Sequence, residues 1–238
     1  MKRSEINAIL LEAEAFITSQ RFHLPPFAAW TPEDWASTDP EAREIADHGL
    51  GWDVTDFGSG DYAKLGLFLF TVRNGALQNL EQGLGKVYAE KLLVVGIHQV
   101  TPYHFHFKKT EDIINRGGGT LVLELHWADE HDALSGRAIT VGCDGVERNV
   151  AAGGQVRLEP GESITLPTRL YHRFWAEGAR VLVGEVSTVN DDATDNRFLE
   201  PVGRFPEIEE DVAPVRLLVG DYSRYYLHAN SANQNGGD

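Results

Sequence analysis

Apolar positions along the chain change their period once, near residue 50, and the change separates two kinds of structure. In the first stretch Ile6, Leu10, Ala13 and Ile17 recur at spacings of four, three and four behind a start signal at Ser4, so an amphipathic helix is predicted over about 4–20. Thr31 then precedes Pro32, Glu33 and Asp34, which reads as an N-cap, a proline at the first helical position and acids in the first turn. A further helix is predicted near 40–48, stopped by Gly49. From Trp52 onward β-branched and aromatic runs alternate with Gly and Asn. Strands are predicted at 65–72, closed by Arg73-Asn74-Gly75, and at 87–99, 103–107, 120–127, 139–143, 155–158, 163–166, 172–175, 181–189 and 215–219. Asp144-Gly145 and Gly153-Gly154 read as turns. Short strands with no helices between them exclude a parallel α/β fold and predict an all-β sandwich or barrel. One domain over 1–229 is expected, with a helical extension at about 1–50, and the polar, Gly-rich residues 230–238 read as a disordered tail.

Composition narrows the partners. A chain of 238 residues that is 42% hydrophobic can bury a substantial core. Its net charge of -15 argues against nucleic acid or an anionic membrane, both of which require clustered Lys and Arg, and leaves a small neutral molecule as the expected partner. The one cysteine, Cys143, excludes an intramolecular disulfide and a Cys-based zinc cluster. It fits a reducing compartment. No apolar run approaches the roughly 18 residues of a membrane span, and the acids that follow Met1-Lys2-Arg3-Ser4-Glu5 do not make a secretory segment, so a cytoplasmic protein is expected.

The candidate chemistry lies in His104-Phe105-His106-Phe107-Lys108-Lys109-Thr110-Glu111. Side chains alternate along a strand, so the two imidazoles share one face and the two phenyl rings the other. A carboxylate follows in the next turn. Imidazole nitrogen and carboxylate oxygen suit Mn, Fe, Ni, Co or Zn, and His172, delivered by the turn at Pro167, is the best fourth ligand. Most of the other histidines, His23, His48, His131 and His228, sit in polar or turn-like surroundings that require no special role.

These residues resemble the cupin superfamily, whose first motif (HxH, three or four residues, Glu, six residues, Gly) is matched by His104, His106, Glu111 and Gly118. The second motif is matched by Gly161, Pro167 and His172, with Arg169 in place of its second Gly and Ala176 in place of its Asn. His98 stands where the first motif has another Gly. Segments 108–119, 184–192 and 195–198 are similar, more narrowly, to the D-lyxose isomerase family. That resemblance implies a cupin-type barrel, an antiparallel double-sheet jelly roll with N-terminal helices. It also implies a manganese-dependent, dimeric aldose-ketose isomerase acting on pairs such as D-lyxose/D-xylulose and D-mannose/D-fructose, with His104, His106, Glu111 and His172 as ligands.

Such a reaction needs a carboxylate near C1 and C2 to carry a proton through a cis-enediol. Glu185 is the first choice, because 181–189 reads as a core strand where a carboxylate is costly unless it serves the site or pairs with an inward Lys or Arg. Lys108 continues the phase of His104 and His106 and is expected to face inward as a donor to the sugar. Asp195 and Arg197 are expected to close over the sugar from a loop, and Arg116 either binds substrate or braces a carboxylate. A metal-dependent dioxygenase and a non-catalytic sugar-binding protein remain open on the same ligand set.

Overall fold

The computed structural model describes residues 1–226 except 39, 192–193 and 204–206, so the tail expected at 230–238 lies outside the described residues. The N-terminal stripe forms α1 (Arg3–Ser19) and buries Ile6, Leu10, Ala13 and Ile17. Helix α2 (Pro32–Ser37) begins at the predicted cap: Thr31 Oγ1 accepts the Asp34 N–H at 3.2 Å, and the Asp34 carboxylate accepts the Thr31 N–H at 2.8 Å. A 3-10 turn and α3 (Arg43–Asp47) then lead to Gly49, whose φ of +61° only glycine adopts cheaply.

The remaining elements are β1 (Gly51–Thr55), β2 (Leu67–Arg73), α4 (Leu77–Gln82), β3 (Tyr88–Val95), β4 (His104–His106), β5 (Glu111–Trp127), β6 (Ile139–Cys143), β7 (Val146–Val150), β8 (Gln155–Leu158), β9 (Ser163–Leu166), β10 (Leu170–Thr188), β11 (Asn196–Phe198) and α5 (Tyr222–Tyr225). The long strands β5 and β10 pair antiparallel over almost their whole length and serve two sheets. Residues 111–118 of β5 and 181–188 of β10 belong to the order β1-β2-β3-β10-β5-β9. Residues 120–127 and 170–177 belong to β11-β4-β10-β5-β8. The strand pair must therefore bend between its halves, and its register shifts between Glu177 and Val181.

Glycines make the bend possible. Gly118 has φ +106°, and a Cβ there would lie 2.1 Å from the Arg180 carbonyl oxygen; at Gly119 it would meet the Glu177 and Ala179 carbonyls at 2.3 and 2.4 Å. The run Gly117-Gly118-Gly119 is thus the corner of one continuous strand. The predicted strands at 172–175 and 181–189 are likewise the two halves of β10.

Inward side chains of both sheets, among them Leu93, Ile113, Leu123, Leu158, Phe174 and Val183, form one buried cluster. Each contributes about 1.5–3 kcal/mol by leaving water. The outer face of the first sheet presents Trp52, Phe68, Phe70 and Val94 to α1. The strand expected at 215–219 does not form. Leu217 instead packs with Trp35, Tyr222 and Tyr226, Leu218 joins the cluster beneath α1 through a single bridge to Trp52, and a 3-10 turn follows. Apolar content there serves docking, not a ladder.

Candidate active site

The short strand β4 turns His104 and His106 inward while Phe105, fully buried, packs on Tyr171 at 4.7 Å between ring centres. His104 lies directly opposite His172 of β10. The ligating nitrogens of His104, His106 and His172 all fall within 4.8 Å of one another. Glu111 approaches from the other sheet, its Oε1 3.1 Å from His172 Nε2 and 3.4 Å from His106 Nε2. All four predicted ligand residues therefore meet at one place.

Hydrogen bonding sets the tautomers. His104 Nδ1 lies 2.9 Å from the Pro102 carbonyl and His172 Nδ1 3.0 Å from the Leu170 carbonyl. A carbonyl only accepts, so each Nδ1 carries a proton and, in the neutral ring, Nε2 keeps its lone pair. His172 Nε2 and both nitrogens of His106 are buried without a hydrogen-bond partner among the described residues. Leaving such groups unsatisfied costs about 1–3 kcal/mol apiece. Burial pushes the pKa values of His104 and His106 down, helped at His104 by the His172 and His106 rings, so both are neutral near pH 7. Burial alone would raise Glu111, but the Lys109 ammonium and then the His106 ring outweigh it and hold the carboxyl well below its ordinary range. Neutral imidazoles with orphaned lone pairs facing an ionised carboxylate are a donor set that fits a divalent cation.

Lysine 108 does not occupy the place expected of it. Its side chain is exposed, and Lys109, 3% exposed, points inward instead. The reason is a phase switch: Asp195 accepts the consecutive N–H groups of Lys108 and Lys109 on its two oxygens at 2.8 and 2.9 Å, which alternating strand geometry forbids. After the bend, Lys109, Glu111 and Ile113 share the inward face. Lys109 Nζ lies 2.7 Å from Glu111 Oε2 and 2.7 Å from Glu185 Oε1. Those two carboxylates raise its pKa despite the opposing effect of burial, so it stays charged.

Glu185 is buried and lines the same cavity, paired with Lys109 and, at 3.6 Å, with Lys91 of β3. It shows both outcomes the sequence allowed, an inward ion pair and a place in the site. Asp195 is spent on the bend and does not line the cavity. Arg197 is exposed and reaches Asp132 at 3.6 Å, because alternation in β11 gives the cavity its neighbours Asn196 and Phe198. Arg116 is exposed and lies across Gly184 on the outer face. The three residues expected to bind substrate are thus not brought to the centre.

Sequence reasoning missed Lys109, Lys91, Phe57, Asn196 and Phe198, which line the cavity of about 50 Å³ around the histidines. Only Lys109 left a signal: it stands two before Glu111, in that residue's phase. Larger clefts of about 800 and 790 Å³ lie beside Met1 and Asp53 and beside His48 and Asn74, but neither contains a histidine of the triad. Size does not select the site here.

Both positions where the cupin motifs lack a glycine keep a glycine-like backbone. His98 has φ +56° and Arg169 φ +62°. Arg169 is held there by its contacts: its N–H donates to the His106 carbonyl at 3.0 Å, its guanidinium lies 5.2 Å from the Phe105 ring, and it reaches Asp132 at 2.8 Å.

A model of the D-lyxose isomerase family matches residues 1–222 of this chain. Proteins named D-lyxose/D-mannose isomerase from Serratia proteamaculans and Escherichia coli O157:H7 are 51% and 49% identical to it over 228 residues, which are 94% of this chain and 99% and 100% of theirs. Among solved structures, the L-ribose isomerase of Cellulomonas parahominis with L-ribose matches with a TM-score of 0.57 at 16% identity, covering 90% of this chain and 98% of that one. The L-ribose isomerase of Geodermatophilus obscurus gives 0.57 and 16%, covering 88% and 98%. At such identities the likeness is one of fold, and it agrees with the cupin-type double sheet. Among the described residues no helix is long and apolar enough to cross a membrane.

Proposed function

This chain belongs to the D-lyxose isomerase family, and from that premise we propose that it interconverts free aldoses and ketoses, D-lyxose with D-xylulose and D-mannose with D-fructose. The observation that carries the reading is the placement of a buried carboxylate–ammonium pair, Glu185 and Lys109 at 2.7 Å, in the same cavity as the triad and Glu111. Cation donors and proton-handling groups stand side by side.

The net reaction moves one proton from C2 to C1 and one from O2 to O1. A divalent cation held by His104, His106, His172 and Glu111, with Mn2+ the family's implied choice and Fe2+, Co2+, Ni2+ or Zn2+ the alternatives, would polarise the carbonyl and stabilise negative charge on the sugar oxygens. Glu185 moves the carbon-bound proton. Lys109 and Lys91 both approach its Oε1, whereas Oε2 makes no hydrogen bond among the described residues. Oε2 is therefore the oxygen that takes the proton from C2 and returns it to C1 on the same face of a cis-enediol. Lys109, kept charged by its carboxylates, serves as a hydrogen-bond donor to a sugar oxygen as charge develops and does not itself release a proton. Phe57, Leu69 and Phe198 supply apolar wall for the C–H faces of the sugar and limit water.

The test is incubation of Mn2+-loaded protein with D-lyxose and D-mannose in deuterated water, followed by NMR. Ketose carrying deuterium at C1, or aldose carrying it at C2, supports the reading; sugar binding without exchange, or consumption of oxygen, refutes it. The same reading carries a homodimer in the cytoplasm, with 1–229 folding as one unit. Light scattering of the purified protein and a single calorimetric transition test the dimer and the unit.

A further inference from the structure

The cavity around the histidines is smaller than the sugars proposed to react in it. Its volume of about 50 Å³ admits roughly three to five waters, at about 10–15 Å³ apiece, and a pentose, with one oxygen for every carbon, is larger than that. Part of the wall must therefore move aside when a sugar enters. Burial locates that part. Among the lining residues Leu67, His104, Asn196 and Phe198 are half-buried, and the others, Glu185 and Glu111 included, are buried. Most of the buried wall stands on the paired strands β2, β3, β5 and β10, which cannot retreat one residue at a time. A sugar whose reacting carbons lie beside Glu185 thus turns its far end to the half-buried side. Three rings stand there in a row: Phe198 lies 5.5 Å from His104, tilted by 33°, and Phe57 meets Phe198 edge-on at 6.0 Å.

Phe57 is the unusual member of that row. It is 5% exposed and follows β1 with φ +54°, a left-handed conformation that a bulky side chain rarely adopts. Its turn is pinned. The Phe57 N–H donates to Thr55 Oγ1 at 2.9 Å, the Asp56 carboxylate accepts the N–H groups of Gly58 and Gly60 at 3.0 and 3.1 Å, and the Phe57 carbonyl accepts the Gly203 N–H at 3.1 Å. Strain of this kind persists only where surrounding bonds hold it, and it aims a side chain that a relaxed turn would not. Phe198, by contrast, is half-buried on the three-residue strand β11. Phe198 can turn aside, and Phe57 limits how far.

We propose that Phe57 is a specificity-determining residue: its ring, fixed behind Phe198, stops the non-reacting end of the sugar and sets the preference between pentose and hexose. The inference deepens the sugar-isomerase reading and rests on it, with the reacting carbons beside Glu185. D-mannose repeats the configuration of D-lyxose at C2, C3 and C4 and adds one hydroxymethyl group at the far end. The two sugars are therefore alike where the chemistry occurs and differ where Phe57 stands. A shorter side chain at 57 leaves room for the added group, so it favours the hexose without altering the groups that hold the cation or move the proton.

The experiment compares the parent with Phe57→Ala, Phe57→Leu and Phe57→Gly as Mn2+-loaded proteins, each with both sugars. In Phe57→Ala, kcat/KM for D-mannose relative to D-lyxose should rise roughly tenfold, the worth of one small group in a pocket, and the change should lie mainly in KM. Both sugars report on the same protein, so general damage cancels from the ratio. Phe57→Leu should move the ratio the same way by about threefold, and it carries the test if Phe57→Ala does not fold. Phe57→Gly should match Phe57→Ala in sugar preference yet unfold roughly 2–4 °C higher, because alanine keeps the left-handed strain and glycine does not. On a Glu185→Gln background, the dissociation constants of the two sugars should show the same shift in ratio. A ratio within about twofold of the parent in binding and turnover alike, a shift toward D-lyxose, or an alanine variant as stable as the glycine one overturns the inference. Normal turnover by Glu185→Gln refutes the base alone, since the binding ratio still judges Phe57, whereas a parent that binds neither sugar overturns both readings.

Discussion

Replacing Lys109 with Met, a side chain of similar length without charge, tests the electrostatic centre of the site. Lys109, Glu111 and Glu185 are 3%, 2% and 6% exposed, so solvent screens their interactions little. The ammonium makes a 2.7 Å contact with each carboxylate. Removing one partner of a buried pair costs about 3–5 kcal/mol, mainly by stranding the other charge. Here Glu185 retains the Lys91 ammonium at 3.6 Å, which favours the lower end. A loss of about 3 kcal/mol in a chain of this length corresponds to a fall in Tm of roughly 6–12 °C. The measurement is thermal unfolding of protein stripped of metal with EDTA, near pH 7.5. Loading Mn2+ should shrink the difference, because Glu111 then gains another positive neighbour. On a Glu185→Gln background the same substitution should cost about 1–2 kcal/mol less, since one of the two stranded charges is gone. A Tm for Lys109→Met within 2 °C of the parent in metal-free buffer would refute the claim that this ammonium neutralises the site.

The other expectations concern pH, the base, the bend and a strained turn. His104 and His106 have folded pKa values below their ordinary 6.5, so the unfolded chain binds their protons first and metal-free stability should fall as pH drops from about 6.5. Glu111, depressed below 4.5, contributes stability above that value and loses it further into acid, so a Tm that is flat between pH 7 and 5 in EDTA contradicts the burial of neutral imidazoles. Glu185→Gln should retain manganese by elemental analysis yet lose about a thousandfold or more in kcat; normal turnover would assign the base elsewhere. Gly118→Ala, with φ +106° and a carbonyl 2.1 Å from the new Cβ, should destabilise by about 3 kcal/mol or more in chemical denaturation, and a change below 1 kcal/mol would mean that the bend relaxes freely. His98→Gly should be neutral or stabilising by up to about 1 kcal/mol, because it removes left-handed strain at an exposed residue. Arg169→Gly should instead destabilise, since it forfeits the contacts with Phe105 and Asp132.

Much of the ligand geometry was legible because it is local. Two residues of one strand and a carboxylate five further on need only alternation and a bend to converge, and His172 required only that its strand lie beside β4. Lys108 misled because alternation was carried across the point where Asp195, far along the sequence, captures two successive N–H groups. No local pattern announces that capture. The same holds for β11: three residues paired with β4 carry too little pattern to read, yet they decide that Asn196 and Phe198, and not Arg197, meet the cavity. His98 and Arg169 show the converse, since a motif glycine can be absent while the backbone it serves persists, provided tertiary contacts hold it.

The glycine corner is what makes a single site from these parts. His172 and Glu185 lie on the same strand, β10, thirteen residues apart. Along a straight strand that separation is about 43 Å, yet both residues line one cavity of about 50 Å³. Only a strand that leaves one sheet and returns over the other as the facing wall brings its two halves together, and the corner at Gly117–Gly119 against Gly178–Arg180 is where it does so. The partner strand β5 turns the same corner from the other direction, so its start, with Glu111, opposes the three histidines of the second sheet. The four proposed cation ligands are therefore shared between two sheets, while Glu185, the proposed base, and Lys91 opposite it sit on the first sheet alone, beside Lys109 at its edge. A change at the corner is therefore expected to shift the two groups relative to each other, although no residue of the corner lines the cavity.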